Sequence, residues 1–144
     1  MFSEAFDLVV GAEPDLAGHA DVELTVELVR DARFLVHTGI DACEFEADRL
    51  ENSGLEFENA HRVDCARDLE ALIVAKFGVT LMPASSMHST RLRHIRLREI
   101  DLRRTVAIYC VAGRARSREA GVFLNLVRSS DWQTAIASHQ RELV

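Results

Sequence analysis

The sequence predicts an α/β domain: a mixed or parallel sheet flanked by helices. Three observations lead there. Short apolar runs that read as strands alternate with amphipathic stretches of 10–14 residues that read as helices. Residues 68–85, DLEALIVAKFGVTLMPAS, compress one such change of period into a single run. An apolar stripe at helical spacing ends at a glycine, four apolar or β-branched residues follow, and a proline closes them. Finally, no Pro/Gly/Ser linker and no internal repeat divides the 144 residues, a length at which one domain buries roughly 70% of its unfolded surface.

Taken in order, FDLVVGA (6–12) is a short apolar strand closed by the turn Glu13-Pro14-Asp15. VELTVELVRD (22–31) carries Thr25 as a cap for a helical turn through Leu28 and Val29. RFLVH (33–37) is a strand that runs into Thr38-Gly39, a loop signal. DACEFEADRLENSG (41–54) is a helix, with Asp41 as cap, Glu44 at the capping-box position and Gly54 as its end. LEFENAHRVD (55–64) alternates as a strand does. Asp64 or Cys65 starts the helix Ala66–Phe77, whose Leu69, Leu72, Ile73 and Lys76 share one face. VTLM (79–82) is the strand after Gly78, and Pro83-Ala84-Ser85-Ser86 closes it. Residues 92–102 form one or more basic strands, and TVAIYCV (105–111) is the strongest strand pattern in the chain. SREAGVFLNLVRSS (117–130) is a helix capped by Ser117, and Asp131 caps a last helix.

Composition bounds the function. Hydrophobic residues make up 48% and charged residues 28%, as in globular domains. No apolar run approaches the ~20 residues of a membrane helix, and the first residues lack a secretory pattern, so a cytoplasmic location is expected with no membrane partner. Cys43, Cys65 and Cys110 form no CxxC and read as reduced, mostly buried thiols. No spacing of His or Cys matches a metal site, and no cofactor is implied. Charge is divided: residues 1–70 hold 18 acids against 5 arginines, residues 71–144 hold 5 acids against 12 bases. The basic run RLRHIRLREIDLRR (91–104) has no aromatic residue to stack on bases. Its apolar positions, Leu92, Ile95, Leu97, Ile100 and Leu102, make it strand with arginines on the wet face. Those arginines complement the acidic half or a second subunit, and direct nucleic-acid contact is not expected. GxSxG, HExxH and GxxxxGK[ST] are all missing, Ser85-Ser86 has no evident base, and no catalysis is expected.

The run Val74-Ala75-Lys76-Phe77-Gly78-Val79-Thr80-Leu81-Met82-Pro83 resembles the "v-x-a-G-l-G-v-x-x-l-P" segment of the effector-binding domain of LysR-type transcriptional regulators. Other pieces follow in the family's order. FSEAFDLVVGAEPDLA (2–17) is similar to its hinge strand and "HPLA" turn, with Pro14-Asp15 in place of His-Pro. VELTVELVRDARFLVHTG (22–39) is similar to the entry into the second subdomain. Residues 92–127 are similar to the return strand and last helix. Lys76 stands where the family has its first glycine, so the helix is expected to end without a left-handed cap.

The resemblance implies a periplasmic-binding-protein-like fold: subdomain II over about 18–104, with hinge strands and the C-terminal part of subdomain I over 1–17 and 105–144. On that view the chain is an effector-binding fragment truncated at its N-terminus and lacking the winged helix-turn-helix. It would sense an unidentified small molecule and act as a homo-oligomer, a dimer above all. The apolar stripe of the last helix, Ala120, Phe123, Leu124 and Val127, would lie uncovered.

Ligands of open α/β sheets bind at the carboxyl ends of strands. This singles out His37, Thr38, Gly39 and Ile40 after one strand, and Asp64, Cys65 and Ala66 at the start of the helix after another. Pro83 and Tyr109 would complete the wall. Each has a plainer role open to it: Thr38 and Asp64 as turn and cap residues, Tyr109 and Cys110 as core. Asp64 would repel an anion, so a polar, cationic or carbohydrate-like effector stays open. So does a stand-alone small α/β enzyme or interaction module.

Overall fold

The computed structural model describes residues 1–12, 25–38, 55, 57, 59–86, 89–97 and 99–136. Its elements are β1 (Phe2–Gly11), α1 (Val26–Val29), β2 (Leu35–His37), β3 (His61–Val63), α2 (Ala66–Val74), β4 (Thr80–Pro83), β5 (Leu92–Ile95), β6 (Arg103–Val106) and α3 (Arg118–Ser129). The helix expected over 41–54 lies outside the described residues.

β1 organises the sheet. It is antiparallel to β4, with Phe6 opposite Pro83 and Val9 opposite Thr80. It is also antiparallel to β5 through Leu8–Gly11 and to β6 through Phe2–Ala5. β2 and β3 run parallel, Leu35 opposite His61 and His37 opposite Val63. A parallel bridge between Phe34 and Val79 joins the two sets. β3, β2 and β4 thus share one direction, the parallel arrangement that crossover connections through helices produce, and β1 runs against β4.

Alternation along β1 builds two cores. Phe6, Leu8 and Val10 face Val26 and Val29 of α1, Phe34, Leu81, Ile95, Leu97, Ile100 and Leu102. Val9 points to the other face, where Leu35, Met82 and Leu92 meet Leu69 and Ile73 of α2. Leu69 and Ile73 are four apart, so they share one side of the helix and both are buried. The basic run behaves as its pattern suggests: Leu92, Ile95, Leu97, Ile100 and Leu102 are buried, and Arg91, Arg93, Arg96 and Arg103 are exposed. Among the described residues, three of its arginines reach acids of the first half. Arg91 meets Glu70 at 2.7 Å, Arg96 meets Asp7 at 3.2 Å, and Arg104 meets Glu4 at 2.6 Å.

Several expectations need correction. TVAIYCV is strand only to Val106; residues 107–111 pair with no described strand and are exposed. Apolar β-branched residues favour a strand, but a strand exists only beside a neighbour. Tyr109, 90% exposed, and Cys110 are thus not core, and Cys65 is exposed as well. The stripe of α3 is half covered: Leu124 and Val127 are buried, whereas Ala120 and Phe123 are exposed. Thr25 gives α1 no side-chain cap. Instead the Glu99 carboxylate accepts from the Val26 amide at 2.8 Å, from 73 residues away.

The end of α2 is the clearest departure. The Phe77 amide donates to the Leu72 carbonyl and the Lys76 amide to the Ile73 carbonyl, at 2.9 and 3.0 Å. This is a Schellman cap, and Lys76 holds its left-handed position at φ 62°. The cap forms because two carbonyl bonds outweigh the roughly 1–2 kcal/mol that a side chain costs in that region. Gly78 is needed for a different reason. A Cβ there would run into the Arg33 carbonyl and meet Leu35 Cγ at 3.0 Å. Only a bare backbone lets β4 reach β2, where Val79 N–H donates to Arg33 and Leu35 N–H to Val79, at 2.9 and 2.8 Å.

Candidate functional site

Parallel pairing of β2 and β3 sets their carboxyl ends side by side. His37 is opposite Val63, and the Thr38 amide donates to the Val63 carbonyl at 3.0 Å. The next residues of that second strand are Asp64, Cys65 and Ala66, all exposed. Cys65 is the N-cap of α2 in extended conformation, with no side-chain cap; its carbonyl accepts from Leu69 at 3.0 Å. The first amides of α2 therefore carry no acceptor from the cap side chain, on the positive end of the helix dipole. The structure brings Thr38 and Asp64–Ala66 together, as the pattern anticipates.

β4 joins the same edge. The Phe34–Val79 bridge is parallel, so β4 ends at Pro83 on the side where β2 ends at His37. Pro83 is buried as the last strand residue, opposite Phe6, and is not a stop outside the strand. Gly39 and Ile40 lie outside the described residues. Tyr109 lies three residues past Val106, the last residue of β6, exposed and without a strand partner among the described residues.

Sequence reasoning missed a polar cluster on this edge. The Glu4 side chain is 5% exposed, and its Oε1 accepts from Arg104 Nε at 2.7 Å and from Ser85 Oγ at 3.0 Å. Its Oε2 accepts from the Ser85 amide at 2.8 Å. The available signal was the acid within FSEAF (2–6), but its arginine partner lies 100 positions away. A second acid of β1, Asp7, sits 3.9 Å from His94 Nδ1 and 3.2 Å from Arg96.

The arrangement offers a ligand hydrogen-bond donors and acceptors. Thr38 brings a hydroxyl, α2 brings free-ended amides, and Asp64 brings a carboxylate acceptor. No cluster of three His, Cys, Asp or Glu among the described residues is placed to hold a metal ion. None of the described helices is long and apolar enough to cross a membrane.

A family model described as LysR substrate binding domain matches residues 1–132. No curated protein matches the sequence. Among solved structures, the effector binding domain of QuiR in complex with shikimate is similar at 12% identity and TM-score 0.66, over 85% of this chain and 59% of that one. The BenM effector binding domain with its effector benzoate is similar at 20% identity and TM-score 0.56, over 67% and 46%. A mutant of Corynebacterium glutamicum OxyR is similar at 20% identity and TM-score 0.70, over 98% and 45%. At these identities the likeness is one of fold, and the chain spans about half the length of these relatives.

Proposed function

Because the chain belongs to the LysR substrate binding domain family, we propose that it binds a small organic effector and reports it to a transcriptional regulator without touching nucleic acid or catalysing a reaction. The observation that carries this reading is the meeting of three strand ends, those of β2, β3 and β4, with the start of α2. The ligand surface is His37, Thr38, Asp64, Cys65, Ala66 and Pro83. Tyr109 takes no part in it.

The chemistry favours a small acid that also carries hydroxyls. The amides of α2 and the Thr38 hydroxyl suit a carboxylate; Asp64 beside them suits a donor and would turn away a ligand that is anionic throughout. The QuiR domain is in complex with shikimate, a hydroxylated acid, and the BenM domain is with its effector benzoate. The ligand acts by binding one arrangement of the lobes better than another, so its effect is capped by that difference in affinity. The subdomain limits are about 18–104 for the ligand lobe, with 1–17 and 105–144 leading out of it. The protein works in the cytoplasm as a homodimer, which covers exposed Ile108, Val111, Phe123 and Leu126.

A thermal-shift screen of hydroxylated acids, simple acids, polyols and amines tests the reading. A ligand at 100 times its Kd adds about 2.7 kcal/mol of stability, and Thr38→Val removes the shift. If acids give no shift and amines do, the assigned chemistry is wrong. If Thr38→Val keeps the full shift of an acid, the assigned surface is wrong.

A further inference from the structure

β1 leaves the sheet before it ends. On one side β5 and β6 follow it in line, pairing with Leu8–Gly11 and Phe2–Ala5. On the other side β4 covers only Phe6–Val9, and the last link is the Ala84 amide donating to Ala5 at 2.9 Å. Beyond that link, Phe2–Glu4 has β6 as its only strand neighbour among the described residues. β1 and β6 therefore go on as a two-stranded ribbon, and such a ribbon has little stability or fixed direction of its own in water.

Glu4 sits where the ribbon departs. It is opposite Arg104 in the register, and its carboxylate takes the Arg104 guanidinium on one side. On the other it takes both the amide and the hydroxyl of Ser85, in the turn that follows β4. One buried carboxylate thus joins both ribbon strands to the body. Arg104 Nη2 also reaches Ser85 Oγ at 3.5 Å, and Ser3 Oγ donates to the Arg104 carbonyl at 3.2 Å within the ribbon.

The geometry points to Glu4 as a latch that sets the angle of the β1/β6 ribbon against the sheet, through Ser85 and Arg104. Ser85 is two residues past Pro83, so on the ligand reading above it links an occupied strand edge to the two strands that lead away. The latch itself does not need that reading. A carboxylate that merely filled a polar gap would stabilise the whole sheet; a latch controls one element.

Amide hydrogen exchange without ligand separates the two. In Glu4→Gln a neutral amide faces the same donors, so residues 2–5 and 103–106 should exchange at least about tenfold faster, while 34–37 and 66–74 stay within about twofold. Ser85→Ala removes one donor and keeps the Glu4–Arg104 pair; it should give a smaller rise confined to the same peptides. It also decides the question if Glu4→Gln does not fold. Arg91→Gln, which breaks an exposed pair with Glu70, should leave the ribbon unchanged. Unchanged ribbon exchange in Glu4→Gln and Ser85→Ala overturns the proposal, as does a rise spread equally through β2, α2 and the ribbon.

Discussion

Replacing Gly78 by alanine sets two physical effects against each other. Gly78 does not sit in the left-handed region, so alanine fits its backbone angles. By the entropy of the unfolded chain alone, the change would stabilise by about 0.4–1 kcal/mol. Against this stands the Arg33 carbonyl, into which the new methyl would run, with Leu35 Cγ at 3.0 Å behind it. Neither obstacle is the loose end of a flexible side chain. Relief requires β4 to move off β2, and the bonds between Val79 and Arg33 and between Leu35 and Val79 hold that contact, at 2.9 and 2.8 Å. Overpacking costs about 1–3 kcal/mol, and two weakened backbone bonds add about 1 kcal/mol each. The net expectation is a loss of roughly 3–4 kcal/mol. With a urea slope of about 2 kcal/mol per molar, the midpoint falls by about 1.5–2 M. Equilibrium urea unfolding followed through Trp132 and by circular dichroism measures it. A midpoint equal to or above that of the parent chain would falsify the close-approach account of this glycine.

Lys76→Gly should have the opposite sign. The position is left-handed at φ 62° within a complete Schellman cap, so glycine should add about 1 kcal/mol in the same urea experiment. Leu69→Ala removes a fully buried side chain between α2 and Met82 and should cost about 2–4 kcal/mol; a loss below 1 kcal/mol would mean that α2 does not cover that face. Asp131 is held below the usual aspartate range, first by the Thr134 hydroxyl at 2.7 Å and then by the Thr134 amide. Its depressed value means that the cap contributes above the ordinary carboxylate range and is lost as pH falls through the folded value. Carbon-13 NMR titration should therefore show the Asp131 midpoint rise in Thr134→Ala, and an unchanged midpoint would rule out the hydroxyl as the cause.

What the sequence revealed depended on how far apart the cooperating residues lie. The stripe of α2, the strand through Leu81 and the buried apolar positions from Leu92 to Leu102 follow from spacing within one segment. The meeting of Thr38 with Asp64 followed from alternating strands and helices, because parallel neighbours bring their carboxyl ends together. Glu4 could not be read this way, since its role is made by Ser85 and Arg104, 81 and 100 positions away. The cap of α1 failed for the same reason: Thr25 is the local candidate and Glu99 does the capping. TVAIYCV misled in the reverse direction. Its apolar β-branched residues would suit a central strand, yet past Val106 they find no described neighbour.

β1 carries a kinetic consequence. Its ten residues are made well before their strand partners, which span Thr80 to Val106. A strand made this far ahead of its partners cannot complete its pairing until Val106 has followed. Joining such distant segments means closing long loops before any pairing rewards it, which slows folding. In the interval an apolar strand waits with both edges bare, a state that invites pairing with another nascent chain.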